Sequence, residues 1–208
     1  MATADAAELR ANGRRANLLV AATLVYNGVE GVVAIVAGVI AGSVALVGFG
    51  LDSGIEVSAS VVVLLHLLRR GDGGESPWEQ RAAVFVGVTF VALAAYVGFE
   101  AVRDLVTGAK PEESYLGIGI AVASLAIMPV FARAKHALAH RISSRALEAE
   151  SRETLVCSYL SAALLLGLGA NAAFGWWWAD PAAALVIVAV IAREGWEAIT
   201  RKELCCVD

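Results

Sequence analysis

Charged residues are scarce in this sequence of 208 residues. They make up 17% of the chain, whereas about 25% is typical of a soluble domain. Hydrophobic residues reach 59%, and the mean hydropathy is +0.70. The shortage of charge argues against an ordinary water-soluble domain and predicts that lipid surrounds most of the chain.

The sequence also lacks an excess of basic residues. It has 16 lysines and arginines against 20 acidic residues, which gives a formal net charge of -4. A nucleic-acid-binding domain needs a basic surface to neutralise phosphates. We therefore predict no nucleic-acid partner.

Cysteine is rare, with three residues at Cys157, Cys205 and Cys206. Neighbouring cysteines rarely bridge each other, so this set does not form a secreted disulfide framework, and reduced thiols are predicted. The adjacent pair Cys205 and Cys206 leaves three alternatives open: soft-metal binding, palmitoylation or no role.

Long apolar runs, separated by short polar or turn segments, fill the rest of the chain. About 20 apolar residues form one helical span of a bilayer. The pattern predicts an all-α, polytopic membrane protein with six transmembrane helices, preceded by a cytoplasmic leader at 1–16 and followed by a short tail at 201–208. Within the membrane domain at 17–200, the predicted helices are 17–41, 44–69, 79–107, 114–135, 147–174 and 177–200.

The distribution of positive charge predicts the orientation of these six helices. If the N-terminus is cytoplasmic, 14 of the 16 lysines and arginines fall on the cytoplasmic side, and Arg103 and Lys110 are the two outside. Cytoplasmic loops of membrane proteins carry such an excess. Both termini are therefore predicted to be inside, and the tryptophans at 176–178 to form an outer aromatic belt.

Two acidic residues lie in the middle of the second apolar run. Asp52 and Glu56 are four residues apart, so both carboxylates share one face of a helix. A carboxylate at mid-bilayer costs about 2.5–3.5 kcal/mol, which favours a polar interior or an ion path. Gly48, Gly50 and Gly54 are predicted to let another helix approach this one closely.

The fifth run repeats this spacing with Glu153 and Cys157. Together the two faces offer three carboxylates and one thiol, a ligand set that suits a tetrahedral divalent ion such as Zn²⁺. Two alternatives stay open: Glu153 as a solvated charge at the membrane surface, and Cys157 as a small packed residue.

Several other polar residues have both a functional and a structural interpretation. Asn27 and Glu30 in the first helix are candidates for supporting the metal ligands or relaying protons, with an interhelical hydrogen bond as the alternative. His136 and His140 could capture metal, but the surrounding Arg133, Lys135 and Arg141 would repel a cation and favour a basic interfacial stretch. Glu100 is predicted to make an ion pair near the outer surface.

Three local motifs resemble the cation diffusion facilitator family of metal-ion/proton antiporters. GSVALV at 42–47 resembles the family's second-helix region, SRALEAE at 144–150 the start of its fifth helix, and ADPAAAL at 179–185 the start of its sixth. The resemblance covers about residues 16–200. It implies that Asp52, Glu56, Glu153 and Cys157 form the transport site, although the family usually has Asp at 56, His or Asp at 153 and Asp at 157.

The resemblance implies a transporter that exports Zn²⁺, or Cd²⁺, Co²⁺ or a similar divalent ion, in exchange for protons. It also implies a membrane-only member without the family's usual cytoplasmic C-terminal domain, in the plasma membrane, with a homodimer as a candidate assembly. The alternative is a membrane scaffold or sensor that binds metal without transport. An enzyme is not expected, because no nucleophile-and-base group or cofactor loop is present.

Overall fold

The structure is a computed structural model that describes residues 2–68 and 77–201, with most side chains from residue 11 onward. Its six helices account for nearly all of these residues. They are α1 (Ala2–Ala41), α2 (Val44–Leu68), α3 (Pro77–Thr107), α4 (Tyr115–Ile142), α5 (Arg145–Phe174) and α6 (Ala179–Arg201). The predictions for Cys205, Cys206 and most of the α2–α3 connection lie outside the described residues.

The helices associate in three pairs. The most extensive contacts join α1 with α2, α4 with α5, and α3 with α6, and α2 also touches α5 and α6. In the first pair, an ideal Cβ on Gly50 would lie 2.8 Å from the Gly31 carbonyl oxygen, and one on Gly31 would lie 2.9 Å from the Gly50 carbonyl oxygen. Only glycine permits this reciprocal backbone contact. The close approach predicted for α2 is therefore present at Gly50, while Gly54 is exposed and has no neighbour there.

A polar link fixes one end of the bundle. The Ser43 hydroxyl donates to Asp180 Oδ1, and the Ala45 amide donates to Asp180 Oδ2. The first residues of α6 thus cap the start of α2, where a negative charge stabilises the unpaired amides. At the same end, the Asn171 side chain donates to the Pro111 carbonyl across 3.1 Å.

The outer surface of the bundle is apolar. On α1, Leu18, Val25, Val29 and Val32 are all more than 60% exposed, while polar residues such as Asn27 and Glu30 are buried. Among the described residues, four segments are long and apolar enough to cross a bilayer: Ala11–Ala41, Val44–Leu65, Tyr115–Ile142 and Ala146–Phe174. An apolar exterior around a polar interior is the arrangement that lipid requires.

These observations confirm the predicted fold class, an all-α polytopic membrane protein with six long helices. The N-in, C-in orientation stays a prediction. Two helices are longer than expected: α1 begins at Ala2 instead of near 17, and α4 continues to Ile142 instead of ending near 135. The sequence pattern ends α4 at Lys135 because basic and polar residues follow, whereas Lys135 is buried inside the bundle and the helix continues past it.

Candidate metal centre

The acidic pair on α2 faces the interior of the bundle. Asp52 is 4% exposed and Glu56 is 8% exposed, and the exposed Gly54 lies on the opposite side of the same helix turn. Spacing of four residues places the two carboxylates one above the other, as the sequence predicted. Both carboxylates are therefore buried in the middle of an apolar helix, where a charged group is costly.

Two residues of α1 contact this face of α2. Asn27 Nδ2 donates to Glu56 Oε2 across 2.8 Å, and Ser53 Oγ lies 3.3 Å from Glu30 Oε2. Both are interhelical hydrogen bonds, the alternative that the sequence left open. Asn27 Oδ1 is buried without a hydrogen-bond partner among the described residues, and Glu30 also interacts with Tyr26 and Ser124. Buried oxygens normally have a partner, so Asn27 Oδ1 is an acceptor that a water or a cation can use.

Helix α5 brings the other predicted ligands to the same region. Cys157 is 1% exposed, and its thiol lies beside the carboxylates of Glu56, Glu30 and Asp52. Glu153 is half-buried and is an electrostatic neighbour of Glu56. Asp52, Glu153 and Cys157 are thus all electrostatic neighbours of Glu56, and these four residues are called the quartet below. These four residues do not, however, form the tightest group of ligand atoms. Among the described side chains, the group of three ligand atoms within 4.8 Å of one another belongs to His136, His140 and Glu148.

A buried ion pair lies on α4 and α5 beside the quartet. Lys135 Nζ donates to Glu150 Oε1 across 3.0 Å and to Thr154 Oγ1 across 2.9 Å, and both partners of the ion pair are almost completely buried. Ser60, one turn beyond Glu56 on α2, also donates to Glu150 Oε1. Lys135 is an electrostatic neighbour of Glu56, so a fixed positive charge faces the acidic cluster.

Sequence reasoning missed three charged members of this polar interior. The sequence pattern placed Lys135 in the basic surface stretch, which was wrong, and it gave no role to Glu150 of α5 or Glu194 of α6. Glu194 is half-buried and is an electrostatic neighbour of Asp52. An acidic residue late in an apolar run could have indicated a buried polar group. Whether Glu194 lies near Asp52 depends, however, on how α6 packs against α2, which the sequence does not show. The predicted ion pair of Glu100 is present, since Arg103 donates to it across 2.7 Å.

The fold and the buried acidic residues define a helical membrane protein with a polar interior. Residues 20–201 match the family described as the cation efflux transmembrane domain. Because this match covers most of the chain, the chain belongs to that family.

A curated relative is similar to this chain as well. It is the "Uncharacterized transporter sll1263" of Synechocystis sp., which is 27% identical over 153 residues. The aligned region covers 70% of this chain and 49% of the relative. The chain therefore spans about half the length of the curated relative that it matches.

Proposed function

We propose that the protein is a secondary transporter that exports a divalent metal cation, with Zn²⁺ as the first candidate, in exchange for protons. The observation that carries this proposal is the buried pair Asp52 and Glu56, which faces α1 and α5 inside an otherwise apolar bundle. Membership of the cation efflux family supports it. Asp52, Glu56, Glu153 and Cys157 are the proposed ligands.

Charge explains why proton exchange belongs to the proposal. Three carboxylates and a thiolate carry four negative charges, of which one divalent ion neutralises two. An apolar surrounding makes the remaining charge costly, so the empty site holds protons that the metal must displace. Ligands coordinate only when deprotonated, so protons that arrive from the other side release the metal. Lys135 adds a positive charge near Glu56 but is itself paired with Glu150, so it offsets only part of the quartet's negative charge.

The first test measures metal flux into proteoliposomes. Asp52→Asn and Glu56→Gln keep the size and polarity of each side chain but remove one ligand charge. We expect each variant to fold and to lose Zn²⁺ flux almost completely, because neutral amides bind a divalent ion far more weakly than carboxylates do.

Glu113→Gln is the matched control for this test. Glu113 is an exposed carboxylate that accepts a hydrogen bond from Tyr115, and its variant should transport at the wild-type rate. Normal flux in both Asp52→Asn and Glu56→Gln would refute the site on α2. Saturable Zn²⁺ binding by the wild type without any flux would favour the metal-binding scaffold or sensor instead.

A plasma-membrane location and a homodimeric assembly accompany this proposal. Membrane fractionation tests the first and cross-linking in native membranes tests the second.

A further inference from the structure

The corner between α4 and α5 brings two helix ends together. Helix α4 ends at Ile142, Ser143 adopts a left-handed conformation with φ 49°, and Ser144 caps the start of α5 by accepting from the Leu147 amide. The corner is short, so the last turns of α4 lie beside the first turn of α5. The exposed His136 and His140 lie in the last two turns of this 28-residue helix.

Three ligand-capable side chains meet at this corner. His136 and His140 have their Nε2 atoms 3.2 Å apart, with ring planes at 87°. A Glu148 carboxylate oxygen completes a group whose ligand atoms all lie within 4.8 Å of one another. The two histidines are exposed and Glu148 is half-buried, so water and ions reach the group.

The spacing of the two imidazole nitrogens suits a tetrahedral metal ion. Bonds of about 2.0–2.1 Å at a tetrahedral angle separate two nitrogen ligands by roughly 3.3–3.4 Å. The observed 3.2 Å is close to this value. It is also compatible with a hydrogen bond in which one imidazole donates to the other. Co²⁺ titration distinguishes these two arrangements.

The structure changes the charge balance that argued against metal at this place. Lys135, one of the repelling cations expected from the sequence, is 0% exposed and paired with Glu150 inside the bundle. Glu148, which the sequence reading did not include, adds a negative ligand. Arg152 donates to Glu148 across 3.1 Å and orients its carboxylate. Arg133 and Arg141 remain exposed nearby and should keep metal affinity moderate.

We propose that His136, His140 and Glu148 form a second metal site, separate from the buried quartet, that binds Zn²⁺, Co²⁺ or a similar borderline divalent ion. Two imidazoles and one carboxylate leave the fourth tetrahedral position to water, as in exchangeable zinc sites. Glu153 follows Glu148 by five residues on α5, a rise of about 7.5 Å. The second part of the proposal, which rests on the proposed transport function, is that this site captures metal ions and passes them to the quartet. We call this its feeding role.

Co²⁺ titration of the purified full-length protein in detergent tests the site itself. Tetrahedral Co²⁺ has strong visible absorption bands, and these bands report the ligands without any need for transport. The background is the triple variant Asp52→Asn/Glu56→Gln/Cys157→Ser, which removes most of the quartet. We expect it to bind one Co²⁺ per chain with a nitrogen–oxygen ligand spectrum.

Adding His136→Asn and His140→Asn to that background should abolish the Co²⁺ spectrum, and adding Glu148→Gln should weaken binding at least tenfold. His66→Asn, which changes the third histidine of the sequence, is the matched control and should leave the spectrum intact. An unchanged spectrum without His136 and His140, or none in the background variant, would overturn the site and leave a hydrogen bond between the imidazoles.

Transport kinetics test the feeding role separately. In the otherwise wild-type chain, His136→Asn/His140→Asn should raise the KM for Zn²⁺ and leave the maximal rate unchanged, because capture is slowed but the quartet is intact. An unchanged KM would overturn the feeding role. If the wild type shows no flux while the Co²⁺ spectrum behaves as expected, the transport function fails and the corner site stands.

Discussion

At the scale of single residues, the Lys135–Glu150 pair shows how strongly the interior depends on matched charges. Both side chains are almost fully buried, Thr154 accepts from Lys135, and Ser60 donates to Glu150 Oε1. Among the described residues, Glu150 Oε2 has no hydrogen-bond partner. Removing one partner of such a pair leaves an uncompensated charge, which costs about 3–5 kcal/mol. Replacing both with apolar residues removes that penalty.

We therefore expect Lys135→Met to lower the stability of the purified protein by about 3–5 kcal/mol. The double variant Lys135→Met/Glu150→Met should recover most of the loss. Unfolding in mixed detergent micelles, followed by circular dichroism, measures both. A double variant as unstable as the single one would mean that the lysine stabilises the bundle through its other contacts.

Cys157 is expected to influence which ion the protein prefers. Its thiol is buried beside Glu56, and sulfur is a softer ligand than carboxylate oxygen. Cys157→Ser should weaken Cd²⁺ transport more than Zn²⁺ transport, and Cys157→Asp should shift preference toward Mn²⁺. Competition assays in proteoliposomes measure this order. An ion ranking identical to wild type in both variants would show that Cys157 only packs against its neighbours.

The sequence alone predicted the acidic pair because spacing along one helix determines which residues share a face. It did not predict the partners across helices. Lys135 and Glu150 are on different helices, and whether they meet depends on how α4 and α5 rotate about the corner at Ser143. The same dependence hid Glu148 from the histidine pair, since His140 and Glu148 come together only through that turn.

At the scale of helices, the contact between Gly31 and Gly50 determines how closely α1 and α2 approach. A Cβ at Gly50 would press against the backbone of α1, which cannot move aside as a flexible side chain can. Gly50→Val should therefore separate the helices and destabilise the bundle by about 1–3 kcal/mol. Thermal unfolding monitored by size-exclusion chromatography gives the comparison.

Gly54→Ala is the matched control for that substitution. A Cβ there meets nothing within 4 Å, and alanine favours a helix over glycine by roughly 1 kcal/mol. This variant should be as stable as wild type or more so. Equal stability of Gly50→Val and Gly54→Ala would mean that α1 and α2 adjust their separation freely.

Helix number and order were predictable because apolar runs and turn residues are local signals. Helix ends were less so. The polar residues after Ala134 resemble a helix end in sequence, but α4 continues to Ile142, and Lys135 pairs with Glu150 inside the bundle. The N-terminal residues are polar as well, yet α1 already begins at Ala2.

At the scale of the whole molecule, the proposed mechanism predicts a dependence on the proton gradient. In vesicles, lowering the pH of the solution at the protein's outer face should speed Zn²⁺ transport from the cytoplasmic face to the outer face. Protons displace the bound metal at the outer face. Collapsing the pH difference with the membrane potential clamped should abolish uphill transport. Continued accumulation against a Zn²⁺ gradient would exclude proton exchange as the driving force.

The pairing of helices has a mechanical consequence for this bundle. Asp52 and Glu56 belong to the hairpin of α1 and α2, whereas Glu153 and Cys157 belong to the hairpin of α4 and α5. An ion bound by all four side chains, as proposed, would connect the two hairpins. Its loss should let the hairpins move relative to each other. Spin labels on the two hairpins should then report a narrower distance distribution with Zn²⁺ bound. The width of that distribution would measure how much metal occupancy restricts the motion between the hairpins.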